Sequence, residues 1–191
     1  MIYLVSQSPR RRQLLEQIGV EYKTLKVEID ESWDGKEAVD KHVLRLALAK
    51  ACAGWEQVRS GKPAPVLGAD TAVVLDGVIL GKAETVEQAR TMLRQLSGHT
   101  HQVYSGVVLI DTQGREHSAL NVSNVCFRKL TDGEIESYCA TGEALGKAGG
   151  YAIQGRAAAF IERLEGSYSG VMGLPIFETS QLISRASQDV I

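Results

Sequence analysis

The chain has 191 residues, enough for one domain or at most two, and enough to bury a core without disulfide or metal staples. Its 44% hydrophobic and 23% charged residues are typical of a soluble globular enzyme, and a net charge of −2 argues against non-specific nucleic-acid binding. The apolar runs are too short to span a bilayer, the first residues do not resemble a secretory signal, and three scattered cysteines (Cys52, Cys126 and Cys139) indicate free thiols in a reducing cytoplasm.

The hydrophobic pattern predicts strands and helices that alternate along the chain. Strands are predicted at residues 2–5, 22–27, 65–71, 72–75, 78–80, 101–111, 117–127 and 157–163. Helices are predicted at residues 9–18, 38–57, 85–96 and 131–141, and a last helix begins near Pro175. Asp76-Gly77 is typical of a two-residue hairpin turn, and capping boxes begin at Thr85 and Thr131. With neither repeats nor a linker, this order predicts an α/β or mixed α+β sheet in a single domain, residues 1–191.

The first strand runs directly into Ser6-Gln7-Ser8-Pro9-Arg10-Arg11-Arg12. Ser8 is a suitable N-cap and Pro9 suits the first helical position, so this segment is predicted to be the start of a helix. Free N–H groups at such a start attract anions, and arginine binds phosphate in a bidentate fork. The segment therefore predicts a phosphate site, and the alternative is a capped surface helix with solvated arginines.

A second segment, Leu67-Gly68-Ala69-Asp70-Thr71, places an aspartate at the predicted end of an apolar strand, immediately before a hairpin. Strand ends line ligand crevices in α/β folds, and a carboxylate there can hold a divalent metal or accept a proton from water. The alternative is an aspartate that caps a turn. Lys82, on the far arm of the hairpin, would return a cation towards this carboxylate. Asp30 and Glu31, in an acidic loop, are either further metal ligands or solvated groups.

A third segment, residues 146–155, is rich in glycine but has neither the Walker spacing nor the dinucleotide-binding spacing. Glycines let the backbone approach a ligand closely. Lys147 near the start of the loop and Gln154 near its end suit a phosphate and a base edge, respectively. An ordinary flexible hairpin loop is the alternative.

Taken in order, these segments resemble the Maf family of nucleoside triphosphate pyrophosphatases. The matching positions cover nearly the whole chain: 6–11, Glu31, Lys50, 68–71, 81–82, 96–98, 147–155 and 166–175. The resemblance implies a Maf/inosine-triphosphatase-like fold, an elongated mixed sheet flanked by helices with a cleft between two lobes, and a homodimer. It also implies cleavage of a nucleoside triphosphate substrate between the α and β phosphates, with a divalent metal cation, Mg²⁺ or Mn²⁺.

The resemblance also implies a role for each matching residue. Asp70 is implied as the proton acceptor that activates water, and Glu31 as an acidic position that helps Asp70 bind the metal. The positions implied to set base choice are Arg10, Thr71 and Gln154. The positions implied to bind phosphate are Ser8, Arg11, Lys50, Lys82 and Lys147.

Gln154 is similar to the branch of the family that acts on dTTP and UTP, whereas the 7-methyl-GTP branch carries glutamate there. The chain departs from the family pattern at Val5, Ala83, Gly146, Gly150 and Ala152. The family's association with arrest of septum formation supplies an alternative, a nucleotide-sensing regulator without significant turnover. Retention of Asp70 favours the enzyme, because a sensor has no need of a water-activating carboxylate.

Overall fold

Strands and helices alternate through most of the chain, as the hydrophobic pattern predicts. The computed structural model describes residues 1–33, 35–61 and 64–188, with side chains described as far as residue 186. Within these residues the strands are β1 (Ile2–Val5), β2 (Tyr22–Leu25), β3 (Val66–Leu75), β4 (Val78–Leu80), β5 (Thr100–Ile110), β6 (Glu116–Phe127) and β7 (Ile161–Glu165). The α-helices are α1 (Pro9–Gln17), α2 (Val39–Val58), α3 (Val86–Leu96), α4 (Asp132–Cys139), α5 (Tyr168–Met172) and α6 (Ile176–Gln188).

The strands form one mixed sheet in the order β2-β1-β3-β5-β6-β7, with β4 paired to β3. β1 is parallel to both of its neighbours, and Val5 at its end lies beside Leu25 of β2 and Gly68 of β3. β4 is antiparallel to β3, and β7 is antiparallel to β6. The predicted mixed α/β class is therefore confirmed.

The local signals at turns and helix starts are also confirmed. Asp76 and Gly77 have φ angles of 49° and 79°, the left-handed conformation that a tight hairpin between β3 and β4 requires. Both predicted capping boxes form, with Thr85 at the start of α3 and Thr131 at the start of α4. Ser8 occupies the N-cap position of α1, but its side chain makes no capping hydrogen bond.

Three segments differ from the prediction. Asp70 does not stand at a strand end, because β3 continues without a break to Leu75. The predicted strand at 157–163 is instead a 3-10 helix at Arg156–Phe160, followed by β7. The short helix α5 was not predicted, because five residues carry too little periodicity to reveal a helix.

The residues divide into two compact units, each drawn from separate stretches of chain. The first unit contains Met1–Thr71, Ser105–Asn121 and the chain from Gly173 onward, and the second contains Ala72–Tyr104 and Val122–Met172. In the described residues, no helix is long and apolar enough to cross a membrane. All three cysteines are free thiols, as predicted.

In the first unit, α2 lies directly against the parallel strands. A Cβ atom at Gly68 of β3 would collide with the backbone of Ala47 and Ala51 in α2. A Cβ atom at Gly54 of α2 would likewise overlap the side chains of Val5 and Val66. The two glycines therefore allow a helix-to-sheet approach that any larger residue would prevent.

In the second unit, α3 and α4 pack together with β6 and the glycine-rich segment around an aromatic cluster. Phe127 lies at its centre, in edge-to-face contact with His101, Tyr151 and Phe160 at centroid distances of 5.1, 5.0 and 6.2 Å. Tyr138 of α4 completes the cluster against Phe160. Through these ring contacts, His101 of β5 lies against Tyr151 of the glycine-rich segment.

Candidate active site

A lysine between two carboxylates forms the centre of the first unit's polar cluster. Lys50 Nζ donates to Asp70 Oδ1 at 2.7 Å and lies 2.6 Å from Glu31 Oε1. The Lys50 and Asp70 side chains are only 12% and 14% exposed, whereas the Glu31 side chain is 43% exposed. The close approach of α2 to Gly68 explains the contact, because Lys50 precedes Ala51 in α2 and Asp70 lies two residues after Gly68.

Asp70 thus lies in the middle of β3 but beyond the end of β1. The register pairs Val5, the last residue of β1, with Gly68, so β3 extends past β1 at Asp70 and Thr71. The segment after Val5 turns into α1 at this same edge of the sheet. Contrary to the prediction, Asp70 is therefore not at the end of β3. It lies instead beside the C-terminal end of the neighbouring strand, β1.

The Arg11 side chain, from the first turn of α1, joins three separate parts of the first unit. Its Nε donates to the Gly173 carbonyl at 2.7 Å, and its NH2 nitrogen donates to Thr71 Oγ1 at 3.3 Å. Its NH1 nitrogen donates to Ser6 Oγ at 3.4 Å. Burial lowers the pKa of Arg11, and the negative charges of Asp70 and Glu31 oppose that effect.

The other residues predicted from this segment lie beside Arg11. Ser8 is half-buried, and its backbone N–H donates to Ser6 Oγ at 3.1 Å. Arg10 is half-buried, and its positive charge contributes to the lowered pKa of Arg11. The structure therefore brings together the predicted residues Ser8, Arg10, Arg11, Glu31, Lys50, Asp70 and Thr71 in one unit.

Two residues to which the sequence assigned no role contact the predicted site residues. Ser105 of β5 is fully buried, and its Oγ lies 3.0 Å from Thr71 Oγ1. The carbonyl of Gly173 accepts from Arg11 and, at 3.4 Å, from Thr71 Oγ1. A lone serine within the apolar strand Val103–Ile110 is a signal that could have pointed to Ser105. Gly173, with φ of 116°, adopts a conformation that favours glycine.

The remaining predicted residues belong to the second unit, where two lysines lie on adjacent chain segments. Lys82 forms an antiparallel bridge with Ala148. The N–H of Ala83 donates to the Lys147 carbonyl, and the N–H of Gly149 donates to the Gly81 carbonyl, both at 3.1 Å. Lys82 is exposed, and the half-buried Lys147 donates through Nζ to the Leu145 carbonyl at 3.1 Å.

Gln154 occupies an exposed turn that follows three buried residues, 151–153. The Gly155 N–H closes this turn by donating to the Ala152 carbonyl at 3.0 Å. The Glu143 carboxylate accepts from the Arg156 N–H at 2.9 Å, on the far side of the turn. The Gln154 amide is therefore exposed on a turn whose backbone is hydrogen-bonded on both sides.

The acidic residues of this cluster offer oxygen ligands for a metal ion. In the part of the chain that the structure describes, no cluster of three His, Cys, Asp or Glu side chains could hold a metal ion. Glu31 and Asp70 provide two carboxylates, which both contact Lys50. Mg²⁺ commonly takes one or two protein carboxylates and completes its shell with water and substrate phosphates. This pair fits such an ion and does not fit an all-protein cage.

Comparison with known proteins identifies the family. The model of the family described as "Maf-like protein" matches residues 1–186. The chain belongs to the Maf family. Among its relatives, the dTTP/UTP pyrophosphatase of Alkalilimnicola ehrlichii is 53% identical over 191 residues, covering 98% of this chain and 94% of that protein. The dTTP/UTP pyrophosphatase of Xanthomonas axonopodis pv. citri is 51% identical over 185 residues, covering 96% and 97%.

Among solved structures, a HAM1 protein from Coxiella burnetii overlaps this Maf protein with a TM-score of 0.47 and 17% sequence identity. The overlap covers 66% of this chain and 72% of that one.

Proposed function

We propose that this Maf protein is a cytoplasmic nucleoside triphosphate pyrophosphatase, acting on dTTP and UTP as a homodimer of single-domain subunits. The products are the nucleoside monophosphate and pyrophosphate, which suits removal of unwanted or modified pyrimidine nucleotides from the pool. The observation that carries the proposal is the Lys50 ammonium between Asp70 and Glu31. It occurs in a chain about half identical, over nearly its full length, to relatives named dTTP/UTP pyrophosphatase.

In the proposed reaction, Asp70 is the proton acceptor. A water oxygen forms a bond to the α-phosphorus, the bond from that phosphorus to the bridging oxygen breaks, and pyrophosphate leaves with the bonding electrons. Lys50 contacts Asp70 Oδ1, so we assign the water proton to Oδ2. A positioned general base of this kind typically contributes a factor of about 10²–10⁴ to the rate.

Cationic side chains supply the charge that a triphosphate requires. Phosphoryl transfer depends chiefly on positioning and on electrostatic stabilisation of negative oxygens. We assign Lys50, Lys82 and Lys147 to the phosphates, with Ser8 at the start of α1 as a hydroxyl donor. Arg11 contributes positive charge, while its hydrogen bonds to Gly173 and to Thr71 hold the surrounding backbone in place.

A divalent cation, Mg²⁺ or Mn²⁺, completes the proposed site. Glu31 and Asp70 are the residues that would hold it, and when bound it would neutralise phosphate charge and make the α-phosphorus more electrophilic. Lys50 already lies against both carboxylates, so it would keep them oriented in the absence of the ion.

Gln154 is proposed to read the base, with Arg10 and Thr71 shaping base choice. Uracil and thymine present an N–H donor beside carbonyl acceptors, and the amide of glutamine can both accept and donate. An ionised glutamate can only accept. The Thr71 hydroxyl is already engaged by Arg11 and Ser105, so Thr71 would act by holding its surroundings.

The experiment that tests this proposal measures pyrophosphate release from a panel of eight ribo- and deoxyribonucleoside triphosphates, with Mg²⁺ and with Mn²⁺. We expect kcat/KM for dTTP and UTP to exceed that for purine triphosphates by at least tenfold. Tight nucleotide binding without turnover under either metal would contradict the proposal and favour the nucleotide-sensing regulator.

A further inference from the structure

A buried histidine in the second unit contacts the segment that carries Gln154. His101 is 1% exposed, and its Nε2 lies 2.8 Å from the hydroxyl of Tyr151, which is 6% exposed. The two rings also meet edge to face at a centroid distance of 5.4 Å. Tyr151 stands three residues before Gln154, so this hydrogen bond anchors a side chain directly ahead of the exposed turn.

A second tyrosine holds the same backbone at the next residue. The Ala152 N–H donates to the Tyr138 hydroxyl at 3.1 Å, and both groups are buried. The amino-terminal side of the turn is therefore held by two hydroxyl groups at consecutive residues. Neither contact reaches the Gln154 side chain itself.

The imidazole of His101 has no other hydrogen-bond partner in the described structure. Its Nδ1 is buried without one. A neutral imidazole has one N–H and one acceptor nitrogen. Either tautomer keeps the bond to Tyr151: with the proton on Nε2 the imidazole donates to the tyrosine oxygen, and with the proton on Nδ1 the Nε2 atom accepts from the tyrosine hydroxyl. The unpaired Nδ1 costs stability in the core, and Tyr151 is the one hydrogen-bond partner of this imidazole in the described structure.

We propose that His101 is a positioning residue for base selection, acting through Tyr151 on the placement of Gln154. The inference rests on the proposed function, in which Gln154 reads the pyrimidine. The bond from His101 restricts the 151–153 backbone, and the Gln154 amide can then meet the base edge without first being ordered. Such pre-organisation favours the matching base over one that pairs poorly.

The test compares kcat/KM for UTP with kcat/KM for CTP, because cytosine differs from uracil on the edge that Gln154 is proposed to read. Tyr151→Phe removes only the hydroxyl, and we expect the UTP-to-CTP ratio to fall about 3- to 10-fold, as for one lost hydrogen bond. His101→Leu should reduce the ratio similarly, and the double variant no further. His101→Gln, whose amide can donate or accept from the position of Nε2, should restore most of it.

Tyr104→Phe is the matched control, because the Tyr104 hydroxyl is exposed and donates only to Gln102 in the described contacts. It should leave the ratio unchanged. A purely structural role for His101 would lower kcat/KM for both nucleotides equally, and an unchanged ratio in Tyr151→Phe and His101→Leu would overturn the inference. Hydrogen exchange of the 151–155 amides in the nucleotide-free protein should accelerate in Tyr151→Phe, and unchanged exchange would also overturn it.

The two proposals fail in distinguishable ways. If the wild-type protein shows no preference for UTP, the proposed function and this inference both fall. If the wild-type protein prefers UTP and Gln154→Glu abolishes the preference, while the His101 and Tyr151 variants keep it, only the inference falls.

Discussion

Replacing Asp70 by asparagine separates proton transfer from folding. Asparagine has nearly the same shape as aspartate, and its amide oxygen can still accept from Lys50 Nζ, which lies 2.7 Å from Asp70 Oδ1. The substitution removes the negative charge and the capacity to accept a proton. Lys50 keeps Glu31 as a second partner at 2.6 Å, so no buried ammonium is left unpaired.

The structure sets the expected sizes of the two effects. Exchanging a charged acceptor for a neutral one at this single, 14% exposed position should cost about 1 kcal/mol of unfolding free energy. For a chain of this length, that lowers Tm by about 2–4 °C and leaves almost all molecules folded at 25 °C. Loss of a general base should lower kcat by about 10²–10⁴, or about 3–5 kcal/mol of activation free energy.

The assay is pyrophosphate release from UTP at saturating Mg²⁺, paired with a thermal melt of the same preparation. Asp76→Asn is the matched control, because Asp76 is exposed in the turn after β3 and asparagine tolerates its positive φ of 49°. We expect the control to keep wild-type kcat. A folded Asp70→Asn protein with kcat within tenfold of wild type would refute the assignment of Asp70 as the base.

Three further predictions concern the second unit. Lys82→Ala should lower kcat/KM for UTP by about 10²–10³, because it removes a proposed hydrogen-bond donor to phosphate. Lys129 is also exposed, and Lys129→Ala is the control that should match wild type. Equal activity of the two variants would contradict the phosphate role of Lys82. Gln154→Glu should lower kcat/KM for UTP at least tenfold, because it sets a carboxylate against a carbonyl of the base. Gln95→Glu makes the same exchange at another exposed position and is the control that should keep wild-type activity. Burial lowers the pKa of His101 from 6.5 to about 4. The unfolded chain therefore binds a proton between these pH values that the folded protein does not, and stability should fall as pH drops from about 7 to 4. At about 1.4 kcal/mol for each pKa unit, the loss is at most about 3 kcal/mol, and urea titrations should find it absent in His101→Phe.

Much of the fold was predictable because its signals are local. β1 begins and ends where the apolar run does, and the capping boxes at Thr85 and Thr131 mark the starts of α3 and α4. These features depend on residues within a few positions of one another. The end of β3 was predicted wrongly at Asp70-Thr71, because two polar residues inside a strand resemble a strand boundary. The hydrogen-bond partners of these two side chains, such as Lys50 and Ser105, are distant in the sequence, so the local pattern does not reveal them.

The site was predictable as a set of residues and not as a set of contacts. The resemblance to the Maf family selected Glu31, Lys50 and Asp70, but nothing in their spacing shows that one lysine bridges both acids. That arrangement depends on Gly68, whose missing side chain lets α2 approach β3. The Gly173 carbonyl was equally beyond prediction, because its partner Arg11 lies 162 residues away in the chain.

The charges of the first unit's cluster explain why the proposed function needs further cations. Glu31 and Asp70 carry two negative charges, and Arg10, Arg11 and Lys50 carry three positive ones, so the group has a net charge of only about +1. A triphosphate adds about four negative charges, and its repulsion by the two carboxylates would weaken binding in a partly buried site. A divalent cation held by the two carboxylates would offset their negative charge and leave the charges of the arginines and the lysine for the phosphates. Because this small net charge offsets little of the charge on the phosphates, nucleotide affinity should depend on the divalent cation more steeply than folding does.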